Sequence, residues 1–279
     1  MQGLDKLATL AQALPENVRQ NAIDLVERMG EVIEGIGDRP KEWRPEILKL
    51  VQGTTDRSKL PKGANIGSMV HIEEVLDQPY PVHVIRSWTI RQMWHPDKEE
   101  AKILCSSPNG LTGSRYGTCK DCQFGKFDEV ANKSACNKGI TVAIISADLS
   151  KIFNVNFAKT NYSNGTDWTK LMTKAGVATW KKTYSLSSKT SAKNKNVEVL
   201  VASPLGNTDK ELYPFLQELF DLMKSDREKF LEKFKEYVSN APSNPLLAAP
   251  DDNTTVLLEA PASDEPAAEP THGGKGYSL

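Results

Sequence analysis

Cysteine is scarce and confined: four occur in 279 residues, all between Cys105 and Cys136. Histidine is equally scarce, with four residues, so general bases are few. No apolar run approaches the roughly 20 residues that span a bilayer. The opening MQGLDKLATLAQALPENV is interrupted by Asp5, Lys6 and Gln12. It lacks the basic-then-apolar pattern of a secretory leader. A cytoplasmic location is therefore expected, where thiols stay reduced. There is no Gly-x-x-x-x-Gly-Lys phosphate loop, no HExxH and no GxSxG, which removes the commonest nucleotide, zinc-protease and serine-hydrolase signatures. Bases are nearly missing after Asn240: Lys275 stands against Asp251, Asp252, Glu259, Asp264, Glu265 and Glu269.

The formal net charge of −1 therefore conceals a basic body and an acidic tail. Between Lys120 and Leu200, thirteen lysines face six acids. Such polarity suits a polyanionic partner.

Four zones follow along the chain. In residues 1–65, Pro15, Val18, Ala22, Leu25, Val26, Met29, Val32 and Ile33 recur at helical spacing, and Gly35, Gly37 and Pro40 end the pattern. Trp43–Val51 reads as a short helix. GTTDRSKLPKGANIGS reads as a basic linker. Residues 66–203 are mostly strand: YPVHVIRSWTIRQMW, AKILCS, GITVAIISADL, KIFNVNFAKTN, then VATWKKTYSLSSKTS and KNVEVLVAS. One helix, TDWTKLMTKAG, interrupts them, with Thr166 or Asp167 as its cap and Gly176 at its end. Residues 204–240 read as a helix pair, capped at Thr208 and at Ser225 and joined at KSD. Residues 241–279 are rich in Pro, Ala and acids and read as disordered. The strand order with one late helix is that of a small Greek-key barrel such as the OB-fold, which binds oligonucleotides on its face. The expected class is α+β, mainly β with flanking helices: an OB-like barrel with a cysteine insertion over 105–136, a helix pair and a disordered acidic tail.

Cys119 and Cys122 form a Cys-x-x-Cys pair, and Cys105 and Cys136 flank it symmetrically. Four soft thiolates satisfy a tetrahedral Zn²⁺ with no open position, so a structural zinc knuckle held by Cys105, Cys119, Cys122 and Cys136 is the leading expectation. A redox pair, an iron–sulfur cluster, two disulfides and unliganded thiols are its rivals. His71 and His83 read as ordinary strand residues.

Clustered carboxylates for a metal-dependent nuclease are missing from the central zone. Asp148 is the best single candidate, and the turn ADLS accounts for it equally well. No enzyme is expected. Basic residues interleaved with aromatics fit binding of a single strand, with a charged groove and stacking platforms. The candidates are Trp180 beside Lys181 and Lys182, Tyr116 and Arg115, Phe124 and Lys120 on the cysteine loops, Trp88 and Arg91 on the long strand, and Lys159. Phe153 and Phe157 share a face with Val155 and are expected to point inward.

With its CSSPNGLTGS and GTCKDC loops, FAKTN before a helix, and acidic tail, the chain resembles the single-stranded DNA-binding proteins of tailed bacteriophages. The resemblance implies a non-catalytic protein that coats and protects single-stranded DNA during replication or recombination. It also implies replication and recombination proteins as partners of the tail. The chain departs from that pattern in ending GGKGYSL. Two other readings stand beside it. One is a zinc-stabilised virion or scaffold protein. The other is a nuclease or transcription accessory factor.

Overall fold

The computed structural model describes residues 2–30, 46–95, 103–126, 129, 134–192 and 194–240. The chain opens with α1 (Gln2–Gln12) and α2 (Glu16–Gly30), which meet at Pro15. Pro cannot donate within a helix, so it suits the boundary between them. Short strands β1 (Glu46–Ile47), β2 (Lys49–Leu50), β3 (Met69–His71) and β4 (Glu74–Leu76) follow. Next come β5 (Tyr80–Trp94), β6 (Ile103–Ser107), β7 (Thr112–Gly113), β8 (Gly117–Thr118), β9 (Cys136–Ser146) and β10 (Ile152–Ala158). The last elements are α3 (Tyr162–Lys174), β11 (Lys182–Thr190), β12 (Glu198–Asn207) and α4 (Tyr213–Asn240).

The central sheet runs β1-β10-β9-β5-β11-β12, with β6 added to the far end of β5. β1 is parallel to β10; the other pairs are antiparallel. Its two faces serve different cores. On one face Val82, Val84, Ile140, Val142, Ile144, Phe153, Val155 and Phe157 are buried against Trp168 and Met172 of α3. On the other, Ile85, Ile145 and Ile152 pack with Leu7 of α1, Leu25 of α2 and Phe215, Leu216 and Leu219 of α4. Alternation along each strand sends neighbouring side chains to opposite faces, which lets one sheet feed two cores.

Three expectations are corrected here. First, the barrel does not close, and the fold is not an OB-fold. Helix takes 38% and strand 34%, in an open mixed sheet. Among the described residues no pairing joins β12 to β10 or β1. The reason is α3, which packs against β10, β9 and β12. Trp168, 1% exposed, lies 5.7 Å from the Phe157 ring and 5.8 Å from Tyr184. An indole between those strands holds them beyond the roughly 4.8 Å needed for a ladder. Second, the expected helix pair is one continuous helix, α4, running through Ser225. Lys224-Ser225-Asp226 contains neither Gly nor Pro, and a mid-helix Ser costs only about half a kcal/mol. The turn before α4 is capped by Asp209, whose carboxylate accepts from the Glu211 amide, while the Thr208 hydroxyl donates to Trp180 O. Third, α3 begins earlier than expected, so Thr166 and Asp167 lie inside it. Gly176 does follow its end at φ 64°, a conformation that favours glycine.

Strands β5, β6, β9, β10, β11 and β12 fall where alternation placed them, although β12 continues through the expected stop at SPLGN to Asn207. Residues 52–68 form the expected loop. The segment expected as a Trp43–Val51 helix carries β1 and β2 in its described part. Val32, Ile33, Gly35, Gly37, Pro40 and the acidic tail lie outside the described residues. Among the described residues no helix is long and apolar enough to cross a membrane.

Gly165, inside α3, faces β10 so closely that an added Cβ would sit 2.5 Å from Phe157 Cβ. Ala normally stabilises a helix by about 1 kcal/mol over Gly. Here overpacking, typically about 1–3 kcal/mol, outweighs that gain. Gly165→Ala is expected to lower the unfolding free energy with an unchanged denaturant slope; a more stable variant would disprove the contact.

His83 is buried, with Thr208 Oγ1 at 3.1 Å and Thr183 Oγ1 at 3.4 Å from Nδ1. Burial pushes its imidazole down to about 4. The unfolded chain, with His near 6.5, takes up the proton first as pH falls. Stability is therefore complete above about pH 6.5 and declines towards pH 4, by a total on the order of 3 kcal/mol. Denaturant unfolding across that range should show this slope in the wild type and a shallower one in His83→Gln.

Candidate functional site

The far end of β5 gathers the cysteine loops. Met93 is opposite Cys105 of β6 and Cys136 of β9, so the sheet itself brings the first and last cysteines together. Asn109 Oδ1 accepts from the amides of Leu111 and Thr112 and turns the chain into β7. β7 and β8 form a small ribbon, pairing Thr112 with Thr118 and Gly113 with Gly117. A Cβ on Gly113 would lie 2.9 Å from Cys105 Sγ and 3.8 Å from Cys119 Sγ, so glycine lets the ribbon fold down on the thiols. Cys122 leads into a short 3₁₀ turn, Gln123–Gly125.

All four cysteines line one cavity of about 10 Å³, walled also by Met93, Tyr116 and Phe124. The space admits a water-sized sphere at most. The thiols are free, and no disulfide forms. Among the described residues no group of three or more His, Cys, Asp or Glu is arranged to hold a metal ion. The expected structural Zn²⁺ at Cys105, Cys119, Cys122 and Cys136 is therefore corrected: the residues do not fit it. The physical reason lies in their surroundings. Cys105 and Cys119 are buried, and burial raises the Cys136 thiol, opposing the thiolate that a metal requires.

Above the thiols, Tyr116 and Phe124 meet with ring centroids 4.7 Å apart, both half-buried. The Arg115 guanidinium lies 5.6 Å from the Tyr116 centroid, and its Nε is buried without a hydrogen-bond partner. Arg91 lines the same cavity, its Nη1 so near Gly125 that a Cβ there would be 2.8 Å away. Lys120 and Lys126 are exposed beside it. Thus Arg91, Arg115, Tyr116, Lys120 and Phe124, chosen from sequence, converge on one end of the molecule.

The other candidates do not join them. Trp180, expected to be exposed, is 5% exposed. A 3₁₀ turn, Thr179–Lys181, tucks its indole under α4, edge-on to Tyr213 at 5.4 Å. Lys181 covers both rings, and Lys182 Nζ donates to Asn207 Oδ1 at 2.6 Å. That trio belongs to the helix-side core. Lys159 is exposed just before α3, in the left-handed backbone region at φ 53°. Trp88 is on the opposite sheet face from Arg91, capped by Arg227 of α4 at 4.2 Å. Sequence reasoning passed over Arg227. Its signal was present: it lies four residues after Met223 and four before Leu231, a base within an apolar stripe.

Asp148 is engaged in its turn. Burial raises its carboxyl, but hydrogen bonds from Ser146 and Ser150 outweigh that and hold it below the usual range. Phe153 and Phe157 point inward as expected, and His71 and His83 are buried strand residues.

Comparison with family models, with curated proteins and with solved structures gave no match. The resemblance to phage single-stranded DNA-binding proteins is corrected by the open sheet, which is not their barrel, and by the missing metal group. With it falls the reading of a zinc-stabilised coating protein for phage replication or recombination, and the zinc-stabilised scaffold reading fails on the same metal finding.

Four unpaired thiols give a direct check. The denatured chain is expected to take up four equivalents of alkylating reagent without prior reduction. In the native protein Cys136 should label more slowly than in the denatured chain. Mass spectrometry of labelled peptides reads both, and fewer than four reactive thiols would show a disulfide.

Proposed function

We propose that the chain is a non-catalytic binding protein whose partner is a single-stranded nucleic acid, engaged at the cysteine-loop end of β5. The carrying observation is the half-buried Tyr116–Phe124 pair, bordered by Arg91, Arg115 and Lys120. Stacking platforms beside cations bind single strands with little regard to sequence, because every base has a π-face and every nucleotide a phosphate. A duplex hides its base faces and gains only the phosphate contacts. The thiol cavity supports the platform from below and is too small to take a ligand of its own.

The acidic stretch from Asp251 to Glu269 adds a second partner role. A tethered polyanion competes for the basic platform at high effective concentration. Once nucleic acid displaces it, the stretch is free to recruit a basic protein.

Anisotropy of a labelled single-stranded oligonucleotide, set against duplex over a salt series, tests the reading. Affinity should favour the single strand and fall steeply with salt. Tyr116→Ala with Phe124→Ala is expected to weaken it by roughly ten- to a hundredfold, at about 1–3 kcal/mol per stacked base. Absence of binding, even with residues 241–279 removed, would overturn the proposal.

A further inference from the structure

Across the sheet from the thiol cavity, two guanidiniums meet with no acid between them. Arg86 and Trp88 alternate onto the helix-side face of β5, opposite Ala143 and Thr141. Arg227 reaches down from α4, places its Cζ 4.2 Å over the Trp88 ring, and donates from Nη2 to Pro108 O. Arg86 Nη1 is buried and has no hydrogen-bond partner. Among the described residues no carboxylate forms an ion pair with either arginine. Such an arrangement is costly. Burial and the charge of Arg86 together lower Arg227 to about 10. A buried donor left unmade costs free energy, and so do like charges brought together out of water. An anion relieves both at once. Planar guanidinium forks match the oxygens of a phosphate group, and Arg227 is already oriented by the indole and by Pro108.

We propose that Arg86 and Arg227, set around Trp88 between β5 and α4, form a binding site for a phosphate group. The group is carried either by a small phosphate compound or by a phosphodiester backbone. The site does not depend on the Tyr116–Phe124 platform, which faces the other side of β5.

The test is thermal unfolding of the full chain in inorganic phosphate against sodium chloride at equal ionic strength. The wild type is expected to gain about 2–4 °C in Tm at saturating phosphate. Arg86→Gln and Arg227→Gln should each weaken the phosphate response about tenfold, while Arg227→Lys keeps part of it. In phosphate-free buffer Arg86→Gln is expected to unfold at or above the wild-type temperature, because a like-charge contact has gone. A markedly lower Tm there would show Arg86 to be a structural residue and overturn the proposal. Oligonucleotide anisotropy separates the two sources. If both glutamine variants also lose about tenfold in oligonucleotide affinity, the group is a phosphodiester; if they bind it as the wild type does, the site takes a small phosphate compound. Tyr116→Ala should leave the phosphate response unchanged, so failure of the platform and failure of this site are distinguishable. No gain in Tm over chloride, with unaltered oligonucleotide binding in both glutamine variants, would overturn the proposal.

Discussion

The fold depends on the hydrogen bonding of β5 along both edges. β9 follows it from Val82 to Met93, β11 takes the other edge near Tyr80–His83, and β6 takes that edge from Arg91 onward. A strand paired on both sides cannot slide, because a shift of one residue would break three ladders and exchange both faces. That fixed register puts Val82 and Val84 into one core and His83 and Ile85 towards the other. It also puts the cysteine loops and the Arg86–Trp88 surface on one rigid element. The loops at its end have little apolar material of their own, and they take their positions from Met93, Cys105 and Cys136 in the ladder.

Helices add the second constraint. α3 fills the gap that a barrel would close, and α4 covers the opposite face from Leu212 to Arg227. The Lys6–Glu218 ion pair ties α1 to α4, but Lys6 is largely exposed and water screens the contact. Apolar packing of Leu7, Leu219 and Phe215 carries that junction instead. The two charged surfaces therefore differ in kind. One sits on loops, half-open, with rings presented beside cations. The other is sandwiched between sheet and helix, with its charges held in place before any ligand arrives.

Much of the strand pattern was legible because β-branched and aromatic residues alternate in Tyr80–Trp94 and Ile152–Ala158, and because burial of Phe153 and Phe157 follows from that period. Closure was not legible. Whether a sheet's ends pair or are held apart depends on the volume of one side chain, Trp168, and on where its helix lands. The break expected at Ser225 failed because a capping pattern is only a weak preference, which a continuous apolar face overrides. Trp180 looked exposed beside two lysines, yet a lysine stem can lie over rings and bury them, as Lys181 does over Trp180 and Tyr213. Cysteine spacing located one cavity correctly, but spacing says nothing about the dielectric inside it. Of the chosen site residues, those on the cysteine loops came together because they share short segments. Arg227 was missed because its partners lie more than a hundred residues away in sequence.

The bulge in β5 explains why the strand's alternation is only partial. Val84 is opposite Ile144, and the next paired residue is Arg86, opposite Ala143. Ile85 is the extra residue, and it joins the helix-side core. Before it, odd positions look towards the helices; after it, even positions do. Had the phase run on unbroken, Arg86 and Trp88 would enter the core beneath α3, and Met93 would turn away from Cys105 and Cys136. The strand is thus two reading frames spliced at Ile85. Loss of that one residue would invert everything downstream, whereas loss of a pair of residues within either half would preserve which side each remaining residue faces.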